Sequence, residues 1–152
     1  MMRALAMVLA IASAPASSAL PESLLQLRWQ QRILIVFAPR ESDDRALAFD
    51  EIFAARACEV RDRELAIVRV FNENDASFNG VALNAGDARS LRTHYDVSDK
   101  VFAVLLVGKD GGEKLRAGAD VSLGDLFARI DRMPMRQAEM RARAAPCSDA
   151  KE

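Results

Sequence analysis

The chain holds a single histidine. A multi-histidine metal centre is therefore excluded, and a Ser-His-Asp triad would have to be built on His94. Arg92, Thr93 and Tyr95 around it read as an exposed helix end, which suits a surface histidine better than a catalytic base. An excess of charge of one sign is also missing. Lysine and arginine number 21 against 22 aspartate and glutamate, and a net charge of −1 creates no field for gathering nucleic acid. The one locally basic stretch follows Met133. Long apolar runs are absent too: Ala4 to Ala14 falls well short of the roughly twenty residues that span a bilayer. Cysteine is reduced to Cys58 and Cys147. No metal or cofactor is expected, and no nucleophile–base motif is present.

Arg3 precedes that apolar run, and Pro15-Ala-Ser-Ser-Ala19 follows it with small residues at Ser17 and Ala19. This is the pattern of a secretory signal peptide over residues 1–19. The expected organisation is then one domain over residues 20–145 and a short tail over 146–152, in a periplasmic or secreted protein that keeps no membrane anchor after cleavage. With 51% hydrophobic and 28% charged residues, a 152-residue chain buries an ordinary single core. Export makes a disulfide chemically available. A Cys58–Cys147 bridge would close a loop of roughly ninety residues and contribute on the order of 4 kcal/mol. The alternative is a buried thiol at Cys58 and a loose Cys147 in a frayed tail, and spacing alone does not show that the sulfurs meet.

Arg32-Ile-Leu-Ile-Val-Phe-Ala-Pro39 reads as a fully buried central strand, because its apolar residues run without alternation. Leu24, Leu25, Leu27 and Trp29 lead into it, with Trp29 expected beneath the core and a binding-site tryptophan as the alternative. Acidic capping residues at 41–44 open a helix from about Asp43 to Cys58, with Ala46, Phe49, Ile52, Phe53 and Ala57 at helical spacing. Glu64 to Phe71 is a second apolar strand, parallel to the first through a right-handed crossover. Residues 72–85 form a loop whose Asn79-Gly80 turn has room for a small hairpin. A short helix over 86–95, a third strand over 101–107, an Asp110-Gly111 turn, a charged edge strand over 113–116 and a helix carrying Leu123, Leu126, Phe127 and Ile130 complete the domain. Pro134 interrupts that helix. The resulting β-α-β-α-β-β-α order is that of an α/β, thioredoxin-like fold, a mixed sheet flanked by helices.

Gly108-Lys-Asp-Gly-Gly-Glu-Lys-Leu-Arg116, followed by Ile130-Asp-Arg-Met-Pro-Met-Arg-Gln-Ala-Glu-Met140, carries a family likeness. With Trp29, the strand ending Phe37-Ala-Pro39, and Arg61-Asp62, these runs resemble an uncharacterised peroxiredoxin-like, thioredoxin-fold domain family of unknown function. That family occurs in exported bacterial proteins and in animal extracellular proteins of the sushi-repeat and matrix-associated kinds. The likeness spans about Leu24 to Arg143. It implies a thioredoxin-like fold and an extracytoplasmic setting, and brings no established activity.

Thioredoxin-like enzymes place a reactive cysteine at the start of the helix after the first strand, where the helix dipole favours the thiolate. Residues Pro39 to Arg45 contain none. The peroxiredoxin positions counted from Pro39 hold Asp43 and Ala46, and no proline precedes Val101. Cys58 is expected at the far end of its helix, where the dipole opposes a thiolate. The chain thus reads as an exported, non-catalytic binding module for a protein or a small anionic ligand. A thiol-dependent oxidoreductase using Cys58 and Cys147 is the alternative. Candidate binding residues are Lys109, Asp110, Lys114 and Arg116, which could grip an anion unless they only form a turn and keep an edge soluble. Arg136 with Glu139 either docks the tail on the domain or, with Met133, Met135 and Met140, offers an adaptable surface.

Overall fold

The computed structural model describes residues 20–72, 75–143 and 147. The signal-peptide expectation, most of the tail and the cleavage position lie outside them. The described elements are α1 (Glu22–Leu25), β1 (Arg32–Ala38), α2 (Asp44–Ala55), α3 (Ala57–Asp62), β2 (Leu65–Phe71), β3 (Asp75–Phe78), β4 (Val81–Ala82), α4 (Asp87–Tyr95), β5 (Ala103–Val107), β6 (Glu113–Ala117), α5 (Leu123–Asp131) and α6 (Pro134–Ala142). They make a mixed α/β domain whose six-stranded sheet runs β4-β3-β2-β1-β5-β6.

All seven residues of β1 are buried, which is why its apolar residues do not alternate with polar ones. It pairs in parallel with β2 and antiparallel with β5. Leu34, Val36 and Ala38 face Phe49 and Phe53 of α2 and the four apolar residues of α5. Ile33, Ile35 and Phe37 face Leu24 of α1 and Ala88, Leu91 and Tyr95 of α4. Helices therefore cover both faces. The Asn79-Gly80 turn closes a β3–β4 hairpin: both residues have positive φ, the requirement of a tight hairpin turn. That hairpin extends the sheet past β2, whose Ile67 N–H donates to the Asn79 side chain at 2.9 Å.

Two expectations need correction. The helix expected from Asp43 to Cys58 is two helices, separated at Arg56 with φ −117° and ψ 27°. After Phe53 residues 54–57 are all exposed, and the next apolar contact, half-buried Val60, reaches the core from the new axis of α3. Cys58 consequently lies near the start of α3 rather than the end of a long helix. Trp29 is not beneath the core but 60% exposed. Its φ of 67° and its N–H bond to the Lys109 carbonyl at 2.7 Å turn the chain outward just before β1.

Cys58 and Cys147 are joined in a disulfide, with Cα atoms 5.9 Å apart and 89 positions between them. Among the described residues no helix is long and apolar enough to cross a membrane, and no group of three or more His, Cys, Asp or Glu is placed to hold a metal.

Candidate functional site

A groove of about 610 Å³ opens at the edge where β1 begins and β5 ends. Three segments build it: the Trp29 turn, the Gly108–Gly112 turn, and the junction where α5 gives way to α6. Gly111, at φ +84°, supplies the left-handed residue that the second turn needs. Ser122 fixes the start of α5 by accepting from the Asp125 N–H at 3.0 Å, and Pro134 in the first turn of α6 sets its direction.

The groove floor is a charge network. Arg32, 1% exposed, donates to both Glu139 oxygens at 3.0 and 3.1 Å and to the Arg63 carbonyl at 2.9 Å. Lys109, also buried, bonds Glu139 at 2.7 Å and pairs with Glu64. Burial, the largest influence on Glu139, pushes its pKa up, but the hydrogen bonds from Arg32 and Lys109 outweigh it and hold the carboxyl below the usual range. Glu64 is governed in the same way, with Lys109 and Arg143 overcoming burial. Beside this floor, buried Arg136 donates to the Asp62 carbonyl at 2.7 Å, pairs with the Asp62 carboxylate and reaches Asp131 at 3.2 Å. These bonds dock α6 on the domain.

Of the candidate residues, Lys109, Asp110 and Lys114 meet at the groove, whereas Arg116 and Arg136 do not line it. Lys109 is engaged internally. Asp110 accepts from the Gly112 N–H at 3.0 Å and pairs with Lys114 at 2.6 Å, and Lys114 foremost holds its carboxyl below the usual range. Arg116 is bound by Glu113 at 2.8 Å and by the Tyr95 carbonyl at 2.8 Å. On the groove wall stand Trp29, for which binding was only the alternative to a place beneath the core, and Arg129 and Arg132, which the sequence reading missed. The two arginines carry a signal in retrospect, since they lie three apart in the last turns before Pro134.

At the other end of β1, Arg92 fills the sheet edge. Its guanidinium donates to the carbonyls of Ala38 at 2.8 Å, Asn72 at 2.6 Å, Ser98 at 2.6 Å and Val70 at 3.3 Å, and stands 5.3 Å from the Phe37 ring centroid. The start of α2 holds Asp43, whose carboxylate caps the helix and binds the Arg45 guanidinium at 2.8 and 2.7 Å. That bond lowers the Asp43 pKa to about 2. His94 is exposed, and burial, with Glu113 adding to it, pushes the Tyr95 hydroxyl up to about 12.

A family model matches residues 23–139, nearly the whole of this domain. The chain belongs to the family described as Domain of unknown function (DUF4174). The DUF4174 domain is also similar to Coiled-coil domain-containing protein 80 of Danio rerio, with 24% identity over 135 residues. The match covers 77% of this chain and only 15% of that relative. No solved structure matches at a significant level.

Proposed function

We propose that this DUF4174 domain is an exported, non-catalytic binding module of thioredoxin-like fold that works through the groove beside Trp29. The observation that carries the reading is the exposure of the chain's one tryptophan, on a left-handed backbone, against Met133, Pro134 and Met135. Aromatic and methionine side chains concentrate at recognition surfaces, where they contribute large contact areas at low ordering cost.

The β2-β1-β5-β6 order, with β1 parallel to β2 and antiparallel to β5, supports the thioredoxin-like fold, to which β3 and β4 add an edge. A disulfide between the chain's two cysteines supports an oxidising compartment. An Asp43–Arg45 pair where such a fold would carry its thiol supports a non-catalytic role. The disulfide is also what favours the competing reading, a thiol-dependent oxidoreductase working through Cys58 and Cys147.

The groove is tested by selecting displayed peptides on the whole chain and measuring the selected ones as fluorescein-labelled peptides by anisotropy, with the Trp29 emission of the parent protein as a second readout. Ligands that shift the emission and are lost on Trp29→Ala are expected. Ligands indifferent to Trp29→Ala would refute the site.

A further inference from the structure

We propose that the groove receives an extended, acidic segment of a partner protein, its apolar side chain seated on Trp29 and its carboxylates held by Arg129 and Arg132; this rests on the groove reading above. The charge on the wall is one-sided. Arg132 is exposed and makes no ion pair among the described residues, and Arg129 donates only to the Lys114 carbonyl at 3.0 Å. Among the described residues the sole carboxylate lining the groove, Asp110, is already held by Lys114 and the Gly112 N–H. Glu139 and Glu64 behind the floor are taken up by Arg32, Lys109 and Arg143. An incoming carboxylate therefore meets guanidinium groups that no anion among the described residues neutralises, and guanidinium is suited to binding it through two hydrogen bonds at once. A basic segment would meet repulsion.

The rest of the lining selects for apolar content. Trp29 is 60% and Met135 41% exposed, with Met133 half-buried behind them. Polyanions without apolar groups, such as sulfated polysaccharides, gain nothing from an indole and two thioethers, and two unneutralised arginines are few for a polymer bound by charge alone. A peptide with an apolar residue between acidic ones uses both halves of the wall. The groove is open to solvent, so a chain can pass through it without ends being enclosed.

The test is selection of a random displayed dodecapeptide library on the full chain, followed by titration of synthetic fluorescein-labelled peptides read by fluorescence anisotropy, which does not depend on the chain's single tryptophan. Selected sequences should place Asp or Glu beside a leucine or an aromatic residue. Arg129→Glu with Arg132→Glu should weaken their binding tenfold or more, and Arg40→Glu, on a distant surface, should leave it unchanged. Binding should also weaken as salt rises. Basic or neutral peptides that need Trp29 but ignore Arg129 and Arg132 would overturn the acidic segment and leave the groove standing. Peptides that survive Trp29→Ala, or no selected peptide at all, would overturn both. A sulfated polysaccharide that displaces the peptides, with affinity unaltered by Trp29→Ala, would overturn the peptide as occupant.

Discussion

Arg32 and Glu139, 107 positions apart, form a two-pronged ion pair that ties the first strand of the sheet to the last helix. Arg32 is almost wholly buried and the Glu139 side chain is 13% exposed. Removing one member of such a pair leaves the other charge desolvated without compensation, which typically destabilises by about 3–5 kcal/mol. Glu139→Gln keeps the shape, removes the charge and leaves Lys109 with Glu64 alone. Its urea midpoint should correspond to a loss of about 3 kcal/mol. A loss under about 0.5 kcal/mol would show that α6 is held by packing rather than by charge.

Acid should loosen the same network. Folding lowers the pKa of Glu64 and Glu139 below the ordinary 4.5, and that of Asp43 from 3.8 to about 2. The unfolded chain therefore takes up protons before the folded one does. The stability these carboxylates provide is complete above their ordinary values and is lost as pH falls toward the lowered ones. Unfolding midpoints should be flat from pH 7 to 5 and drop between about 4.5 and 2, less steeply in Glu139→Gln. Equal slopes in the two proteins would remove Glu139 from the account.

The central strands and the apolar faces of α4 and α5 were legible because burial imposes a pattern: Leu123, Leu126, Phe127 and Ile130 repeat at helical spacing and all four are buried. The break at Arg56 was not legible, since it follows from where α3 must pack and not from a proline or glycine. The charged residues were legible as a group but not as individuals. Lys109 looks like a surface cation in sequence, and Arg136 could be read as docking the tail but not onto which groups; only the distant partners Glu64, Glu139 and Asp62 account for their burial. Trp29 was misplaced because apolarity alone predicts burial, whereas its exposure is set by one backbone angle. The runs that carry the family likeness include Asp62, Lys109, Arg136 and Glu139, so what was recognisable there is largely this scaffold of charges.

Arg92 should prove as important as the core around it. Arg92→Met would take their shared donor from the carbonyls of Ala38, Val70 and Asn72 at the ends of β1 and β2 and of Ser98 in the loop after α4, of which Ala38 keeps the Asn72 N–H at 3.3 Å. Unsatisfied buried acceptors destabilise by about 1–3 kcal/mol each when water does not reach them, and partial hydration brings the expected total to about 3 kcal/mol. Arg92→Lys, which lacks the planar spread of donors, should recover less than half of it. Thermal or urea denaturation of the three proteins decides this, and full recovery by lysine would mean that charge, not geometry, is what the site needs.

The Cys58–Cys147 bridge closes an 89-residue separation and ties Cys147 to α3. Constraining a loop of that length in the unfolded chain contributes about 4 kcal/mol. The double variant Cys58→Ser, Cys147→Ser should lose about that much. The native protein, purified without reductant, should show no titratable thiol until it is both unfolded and reduced. Rapid reduction of the folded protein's disulfide by an added dithiol at neutral pH, followed by its reoxidation as it reduces a disulfide or peroxide substrate, would instead favour the oxidoreductase.

Trp29 separates stability from binding. A side chain at φ 67° pays a steric penalty that glycine avoids, about 1 kcal/mol for a Cβ in the left-handed region. Because the indole is 60% exposed, its removal takes little from the core. The Arg28 guanidinium 5.6 Å from its ring is likewise an exposed contact of small worth. Trp29→Gly should therefore be about 1 kcal/mol more stable than Trp29→Ala and no less stable than the parent protein by more than about 0.5 kcal/mol. Both variants should lose the groove's ligands. A tryptophan held out in solvent at a conformational cost, with no return in stability, is what a contact residue would show. If both variants unfold well before the parent protein, by more than about 2 kcal/mol, the side chain is structural after all, and the groove loses its strongest argument.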